Sequence, residues 1–455
     1  MNVNRLITEL HRAFGETDDL IQIHLLIRGE KGLLVYLNSM TNSSFVMDYV
    51  VKPLSQAADA ELPDHGDSLL DSLRKQYLSG LTSQMTDHLN RLSEKLGEGY
   101  AAIVLDGDDR VLYVEVKKLD TRQVNEPSTQ NVVRGPKEGF TESASTNMSL
   151  IRRRIRNDKL RFEKYEIGDQ SKTAIYLAFV EGEVGMDVLE QVRSSITSCR
   201  MKSLFDSGSL ESLFRPPGFT LFPTVNNSER PDSVCDYLLN RRAAVIVNGS
   251  PFVLVVPAVL DDFFSSPEDQ YQWNVFSAFV RFIRYVSFFF SLCMPALYVA
   301  VTSYHQELIP TLLLTSIAAQ REGIPFPAVI EIFMMEITFE ILREASTRMP
   351  RIVGQSIAIA GALVLGEAVV QAGIVSNINV IVVALAVISS YVAPIYTFGS
   401  NIRLFRYALI VAGASLGLYG VILGCAFLMV HLSRIEMYGV PYLTSMRRLA
   451  GKIPS

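Results

Sequence analysis

The chain is poor in the residues that mark a metal centre or a disulfide-stapled secreted fold. Its 455 residues include four cysteines, Cys199, Cys235, Cys293 and Cys425, scattered without C-x-x-C spacing. That excludes a disulfide framework and a zinc ribbon and fits a reduced compartment. The six histidines (His11, His24, His65, His88, His305 and His431) show no ligand spacing, so neither a metal nor another cofactor is expected. No Ser/His/Asp set falls in one segment, and Gly135-Pro-Lys-Glu-Gly139 lacks the spacing of a phosphate loop and reads as a charged turn. The basic run Arg152, Arg153, Arg154, Arg156, Lys159, Arg161 and Lys164 is interleaved with Asp158, Glu163 and Glu166. It is expected to be a solvated helix face or a subunit contact rather than a nucleic-acid site. The first residues lack the apolar core of about 7–15 residues that a secretory signal needs, so the N-terminal part is expected to stay cytoplasmic. Nothing in the polar half points to an enzyme.

What is present is a segregation of polarity that the averages (net charge −5, 49% hydrophobic) conceal. Residues 1 to about 270 alternate charged and apolar segments, whereas 274–432 is mostly apolar. The expected fold class is an α/β cytoplasmic region of two small subdomains followed by an α-helical polytopic membrane domain. The expected boundaries are 1–118 for the first subdomain, 119–148 for a connector and 149–258 for the second. A juxtamembrane segment (259–273), a membrane domain of about five spans plus a half helix (274–432) and a tail (433–455) complete the chain.

In the polar half, Ile21–Ile27 and Leu33–Leu37 read as strands, Ser44–Leu54 as a helix and Leu81–Leu96 as an amphipathic helix. Ala101–Leu105 and Val111–Val116 form a strand pair across Asp106-Gly107-Asp108-Asp109. After the polar stretch Leu119–Asn131, a second unit has strands Thr173–Val180, Ala243–Val247 and Phe252–Val256, the last two joined by Asn248-Gly249. Its helices are Ser149–Arg156, Gly185–Thr197 and Ser233–Arg241.

In the apolar half, Tyr271 and Trp273 precede a run from Asn274 to Val301 that carries Arg281 and Arg284 near its start and Pro295 within. Ile309–Ala319 is too short to cross and suggests a half helix. Gln320–Pro327 breaks the chain before the next segment. Further spans are Ile352–Gly373, with Glu367 as its sole charge, Ile378–Ala393, and Leu404–Val430. The last carries Gly413, Gly417, Gly420 and Gly424, a small-residue pattern expected to pack closely on another helix. At about 40 Å it is expected to cross once. Either the half helix crosses as well or the basic tail, with Arg447, Arg448 and Lys452, is external.

The segment between Pro327 and Ala345 is the most unusual. Glu331, Glu336 and Glu340 lie within an apolar helix, where a charge at the bilayer centre costs about 2.5–3.5 kcal/mol on insertion scales. Such residues mark an ion path, a protein interior or a subunit contact. Glu336, Glu340 and Arg343 fall on one face with Ile332 and Phe333 beside them. One reading pairs Glu340 with Arg343 and sets Glu336 against a neighbouring subunit. The other makes a cation path lined by Val329, Ile332, Phe333, Glu336, Glu340 and Glu367.

A set of motifs carries a family likeness. They are Val133-Arg-Gly-Pro-Lys-Glu-Gly-Phe-Thr-Glu142, Phe222-Pro-Thr224, Glu229-Arg-Pro-Asp232, Asn248-Gly-Ser-Pro251 and Ser266-Pro-Glu-Asp269. Pro295-Ala-Leu-Tyr298, Glu307-Leu-Ile-Pro-Thr311, Arg321-Glu-Gly-Ile-Pro-Phe-Pro327 and Phe339-Glu-Ile-Leu-Arg-Glu-Ala345 follow in family order. By these the chain resembles an A subunit of the GerA family of spore germinant receptors. Gly366-Glu367 departs from the Gly-Gln expected there. The resemblance implies a multi-pass protein of the spore inner membrane, acting with a transporter-like B subunit and a lipoprotein C subunit. It implies self-assembly, as a pentamer, into a nutrient-gated cation channel in contact with membrane lipid. Competing classes are a secondary transporter, against which no second copy of the Arg321–Pro327 break is seen, and a non-conducting receptor scaffold.

Overall fold

The computed structural model describes residues 3–59, 68–86, 91–117, 126–130, 132–216, 218, 220–348 and 366–445. Residues 352–365 of the expected span Ile352–Gly373, residues 119–125 of the connector, and the basic tail beyond 445 lie outside the described residues.

In the first subdomain, helix α1 (Val3–Phe14) precedes strands β1 (Leu20–Ile27) and β2 (Glu30–Leu37). Helices α2 (Ser43–Val46), α3 (Lys52–Asp59) and α4 (Leu69–Gln76) lead to β3 (Ser83–Thr86). Helix α5 (Leu92–Gly97) then precedes β4 (Tyr100–Leu105) and β5 (Val111–Glu115). The sheet is antiparallel in the order β1-β2-β4-β5-β3. Its middle strands are covered on both faces, so Leu33–Leu37 and Tyr100–Leu105 are buried throughout and read as unbroken apolar runs.

The second subdomain repeats this plan. Helix α6 (Ala144–Arg154) precedes β6 (Leu160–Ile167) and β7 (Thr173–Val180). Helix α7 (Met186–Thr197) leads to β8 (Asn226–Ser228), and α8 (Pro231–Leu239), with proline at its first turn, leads to β9 (Ala243–Val247) and β10 (Val253–Val256). The order β6-β7-β9-β10-β8 matches the first sheet strand for strand, so one topology is used twice. The expected helix over Leu81–Leu96 is corrected. Ser83–Thr86 pairs with β5 at the sheet edge, and among the described residues of that stretch the α-helix is Leu92–Gly97. A half-exposed edge strand of polar residues carries too little apolar alternation to be distinguished from a helix face.

A buried ion pair joins the subdomains. Arg152 donates from Nη2 to Asp19 Oδ2 at 2.9 Å, and Asp19 also accepts from Ser39 N and Ser39 Oγ at 2.8 Å each. Arg152 is 2% exposed, so this member of the basic run is a subdomain joint and not part of a solvated face.

The apolar half starts with a short helix α9 (Glu268–Tyr271) and the long α10 (Asn274–Tyr304). There follow α11 (Thr311–Arg321), α12 (Ala328–Arg348), α13 (Asn377–Ser390) and α14 (Tyr396–Arg434), with a further helical stretch at 366–371. By length and composition α10 and α14 are apolar enough to cross a membrane. The expectation of one final crossing is corrected, because α14 is a folded hairpin. Gly417 takes φ +63° and ψ −146°, outside helical space, and the chain reverses there. Phe405 and His431 face each other with ring centroids 6.4 Å apart, where a straight helix would separate them by about 39 Å. The hairpin tip lies beside the end of α10, where Tyr304 donates its hydroxyl to Ala414 O at 2.8 Å.

The chain then returns to the soluble half. A two-stranded turn, β11 (Glu436–Met437) and β12 (Val440–Pro441), docks on the second subdomain. Met437 joins the core beneath α7, Leu260 N donates to Tyr442 O at 2.9 Å, and the Tyr442 hydroxyl donates to Pro223 O at 2.9 Å. Phe222, Phe263 and Phe264 share one core with α10, α12 and α14, so the two halves are packed together.

Candidate functional site: a charged ladder in the helical half

Helix α12 starts after the Gly323–Pro327 break and passes three carboxylates through the apolar half. Glu331 and Glu336 stand five residues apart and Glu340 four further on, a rise of about 7.5 and 6 Å. Each meets an arginine from elsewhere in the chain.

Glu331 is fully buried at the end remote from the soluble subdomains. Its Oε2 accepts from Ser376 N at 3.0 Å, Ser376 Oγ at 3.1 Å and the Asn379 side-chain amide. It thereby ties α12 to the N-terminal end of α13, where a carboxylate is also favoured by the helix dipole. Arg321 Nη2 lies 3.4 Å from its other oxygen.

Glu336 is 3% exposed, and both its oxygens lie 2.9 Å from Arg406 Nη1. Arg406, itself fully buried, uses Nη2 to reach Ser291 Oγ at 2.7 Å. One ion pair thus ties α12 and the first arm of α14 to α10. Nearer the soluble half, Glu340 lies 3.9 Å from Arg343 and 3.5 Å from Arg403, with its side chain 44% exposed.

The residues named from sequence divide. Glu336 and Ile332 are packed inside the chain. Val329 and Phe333 are half-buried, with Phe333 stacked on Tyr407 at 6.1 Å between centroids. Glu340 is half-exposed, and Glu367 is exposed and accepts from Gln371 Nε2 at 3.0 Å. The outward edge of α12 is formed by Ile330, Ile337 and Ile341. Of the glycines, Gly413 passes α10 so closely that a Cβ would lie 2.8 Å from Ala296 O. Gly420 and Gly424 instead face the other arm of their own hairpin, at Ala412 and Leu409.

Sequence reasoning missed Arg406 as the partner of Glu336. The available signal was one of balance: a carboxylate deep in an apolar helix needs a cation, and the final apolar segment, Leu404–Val430, contains a single charged residue, Arg406. No group of three or more metal-ligating side chains occurs among the described residues.

A family model described as Bacillus/Clostridium GerA spore germination protein matches residues 8–452. Among similar proteins, "Spore germination protein KA" of Bacillus subtilis (strain 168) is 40% identical over 444 residues, covering 97% of this chain and 81% of that one. "Spore germination protein A1" of the same organism is 35% identical over 430 residues, 94% of this chain and 87% of that one. A crystal structure of the N-terminal domain of the A subunit of the Bacillus megaterium spore germinant receptor GerK3 is 27% identical. It covers 57% of this chain and 95% of that chain, with a TM-score of 0.43.

Proposed function

The chain belongs to the Bacillus/Clostridium GerA spore germination protein family, and from that premise we propose that it is a germinant-receptor subunit forming an oligomeric, nutrient-gated cation channel. In this reading it lies in the spore inner membrane, with both α/β subdomains and the docked residues 436–442 on the spore-core side. It assembles with further copies of itself, as a pentamer, and with a transporter-like B subunit and a lipoprotein C subunit. It carries out no chemical conversion.

The observation that carries the proposal is the ladder of three carboxylates and their arginines inside helices otherwise built for an apolar surrounding. Glu340 and Glu367, with Val329 and Phe333, have the exposure needed to face a path between copies. Glu336 and Ile332 reach that path only when the Glu336–Arg406 pair opens, which makes the pair a gate. Because α14 turns back on itself, its last turns return to the soluble half, where His431 meets Thr220 and Phe222. That return supports a tail on the same side as the soluble half.

A non-conducting scaffold is the second reading. What favours it is that Glu336 is wholly committed to Arg406 within one chain. Ion release from spores carrying Glu340→Gln or Val329→Phe separates the two, with receptor levels matched. A channel loses or alters cation flux in both variants, and a scaffold retains it.

A further inference from the structure

Where the second subdomain meets the helices, segments distant in sequence line a half-open cavity of about 210 Å³. The connector contributes Thr129, β8 and α8 contribute Asn226, Ser233 and Tyr237, the juxtamembrane segment contributes Ser265, and α10 contributes Arg284. Asn226 Oδ1, Ser233 Oγ and Ser265 Oγ are buried without a hydrogen-bond partner among the described residues. Asn226 is 2% exposed, and its amide nitrogen donates to the Tyr237 hydroxyl at 2.8 Å, which leaves Oδ1 as its free end. Buried polar atoms are as a rule hydrogen-bonded, to protein or to ordered water, so three unpaired ones around one space fit a hydroxyl-bearing ligand that takes the place of water there.

The lining specifies the ligand. Among the described residues no carboxylate lines the cavity, so nothing there balances the charge of a multivalent cation. The one charged group, Arg284, is held by Asp269 at 2.6 and 3.0 Å and by Phe264 O at 2.9 Å, so it is not free for an anion. Hydroxyls and amides remain, set between apolar walls such as Val392 and Ile395. Hydroxyl groups both donate and accept, as these side chains do. The volume equals about seven waters at roughly 30 Å³ each, the size of a triol or a pentose.

We propose that this cavity is a binding site for a small uncharged polyhydroxy group, supplied by a free polyol or sugar or by the glycosyl headgroup of a lipid. A ligand there touches the soluble subdomain, the start of α10 and the loop before α14 at once, and so fixes how the two halves sit together. The proposal stands on the cavity and does not depend on the channel reading.

The test is calorimetric titration of the full-length chain in phosphatidylcholine nanodiscs with glycerol, ribose and glucose, with glycine and potassium chloride as charged controls. The expected result is a saturable isotherm for at least one polyol and none for the controls. Ser233→Ala and Ser265→Ala should each weaken binding about tenfold, and the cavity-filling Ser265→Leu should abolish it while thermal unfolding remains cooperative. Saturation separates binding from the non-saturating stabilisation that excluded polyols give any protein. Nanodiscs containing glucosyl diacylglycerol distinguish the sources. If that lipid suppresses the polyol isotherm, or alone shifts the unfolding midpoint of the parent but not of Ser265→Leu, the headgroup is the ligand. Absence of a saturable response to both polyol and glycolipid overturns the proposal, as does an equal response in Ser265→Leu or to the charged controls.

Discussion

Removing the carboxylate charge of Glu336 is the perturbation with the clearest structural consequence. Both Glu336 oxygens lie 2.9 Å from Arg406 Nη1, and the two side chains are 4% and 0% exposed. Two unit charges about 4 Å apart attract by about 4 kcal/mol at an effective dielectric constant near 20. Removing one partner of a buried pair typically costs about 3–5 kcal/mol, because the other charge is left uncompensated. Glu336→Gln should therefore lower the denaturation midpoint of the purified chain strongly, and Arg406→Leu should do the same. The double variant Glu336→Gln/Arg406→Leu should recover most of the loss, since it leaves no orphaned charge. The assay is a double-mutant cycle on solubilised protein in one detergent, read by loss of helical circular dichroism. Additive effects, or a Glu336→Gln protein as stable as the parent, would refute the pairing and return Glu336 to an open path.

The remaining predictions address the hairpin, the thiols and one buried acid. Cys293 and Cys425 sit 3.6 Å apart across α10 and the second arm of α14, so a mild thiol oxidant should cross-link them in folded protein, and mass spectrometry should find that linkage ahead of any involving Cys199. Gly417→Leu forces a side chain into a backbone conformation reserved for glycine and within 2.8 Å of His305 Cε1, a strain of about 1–3 kcal/mol or more, so thermal stability should fall. In the soluble half, burial pushes the Glu211 carboxyl above its ordinary value, against a hydrogen bond from Asn227 and the charge of Arg215 that pull it down. A raised folded-state value means its contribution is fully present below the unfolded pKa of about 4.3 and is lost as pH rises through the folded value. Glu211→Gln should thus gain stability relative to the parent at neutral pH and lose that advantage below about pH 4, measured by urea denaturation at both.

Much of the fold was legible where burial is two-sided or alternation clean. Thr173–Val180 and Ala243–Val247 are strands at the bounds read from sequence, because central strands leave unbroken apolar runs. The duplicated topology was invisible, since it is stored in strand order and not in residue identity. The α14 hairpin was missed because glycines at i, i+4 look alike whether they pack one straight helix on a neighbour or two arms on each other. Only the φ of Gly417 distinguishes them. The start of α14 was placed late because Ser400, Asn401 and Arg403 are polar yet helical, and without those turns the segment looked too short to cross twice. In the candidate site the three carboxylates were found and the Glu340–Arg343 approach was one of the readings offered. The partner of Glu336 was not found, because Arg406 is 70 residues away and no local pattern links them.

The proposal of a conducting receptor subunit is tested most directly by cation flux. The chain should be reconstituted into potassium-loaded liposomes with the proposed B and C subunits, and potassium efflux recorded on addition of nutrient. The account predicts nutrient-dependent efflux that Val329→Phe blocks at equal protein incorporation. A correctly assembled, nutrient-binding receptor that passes no potassium would contradict it.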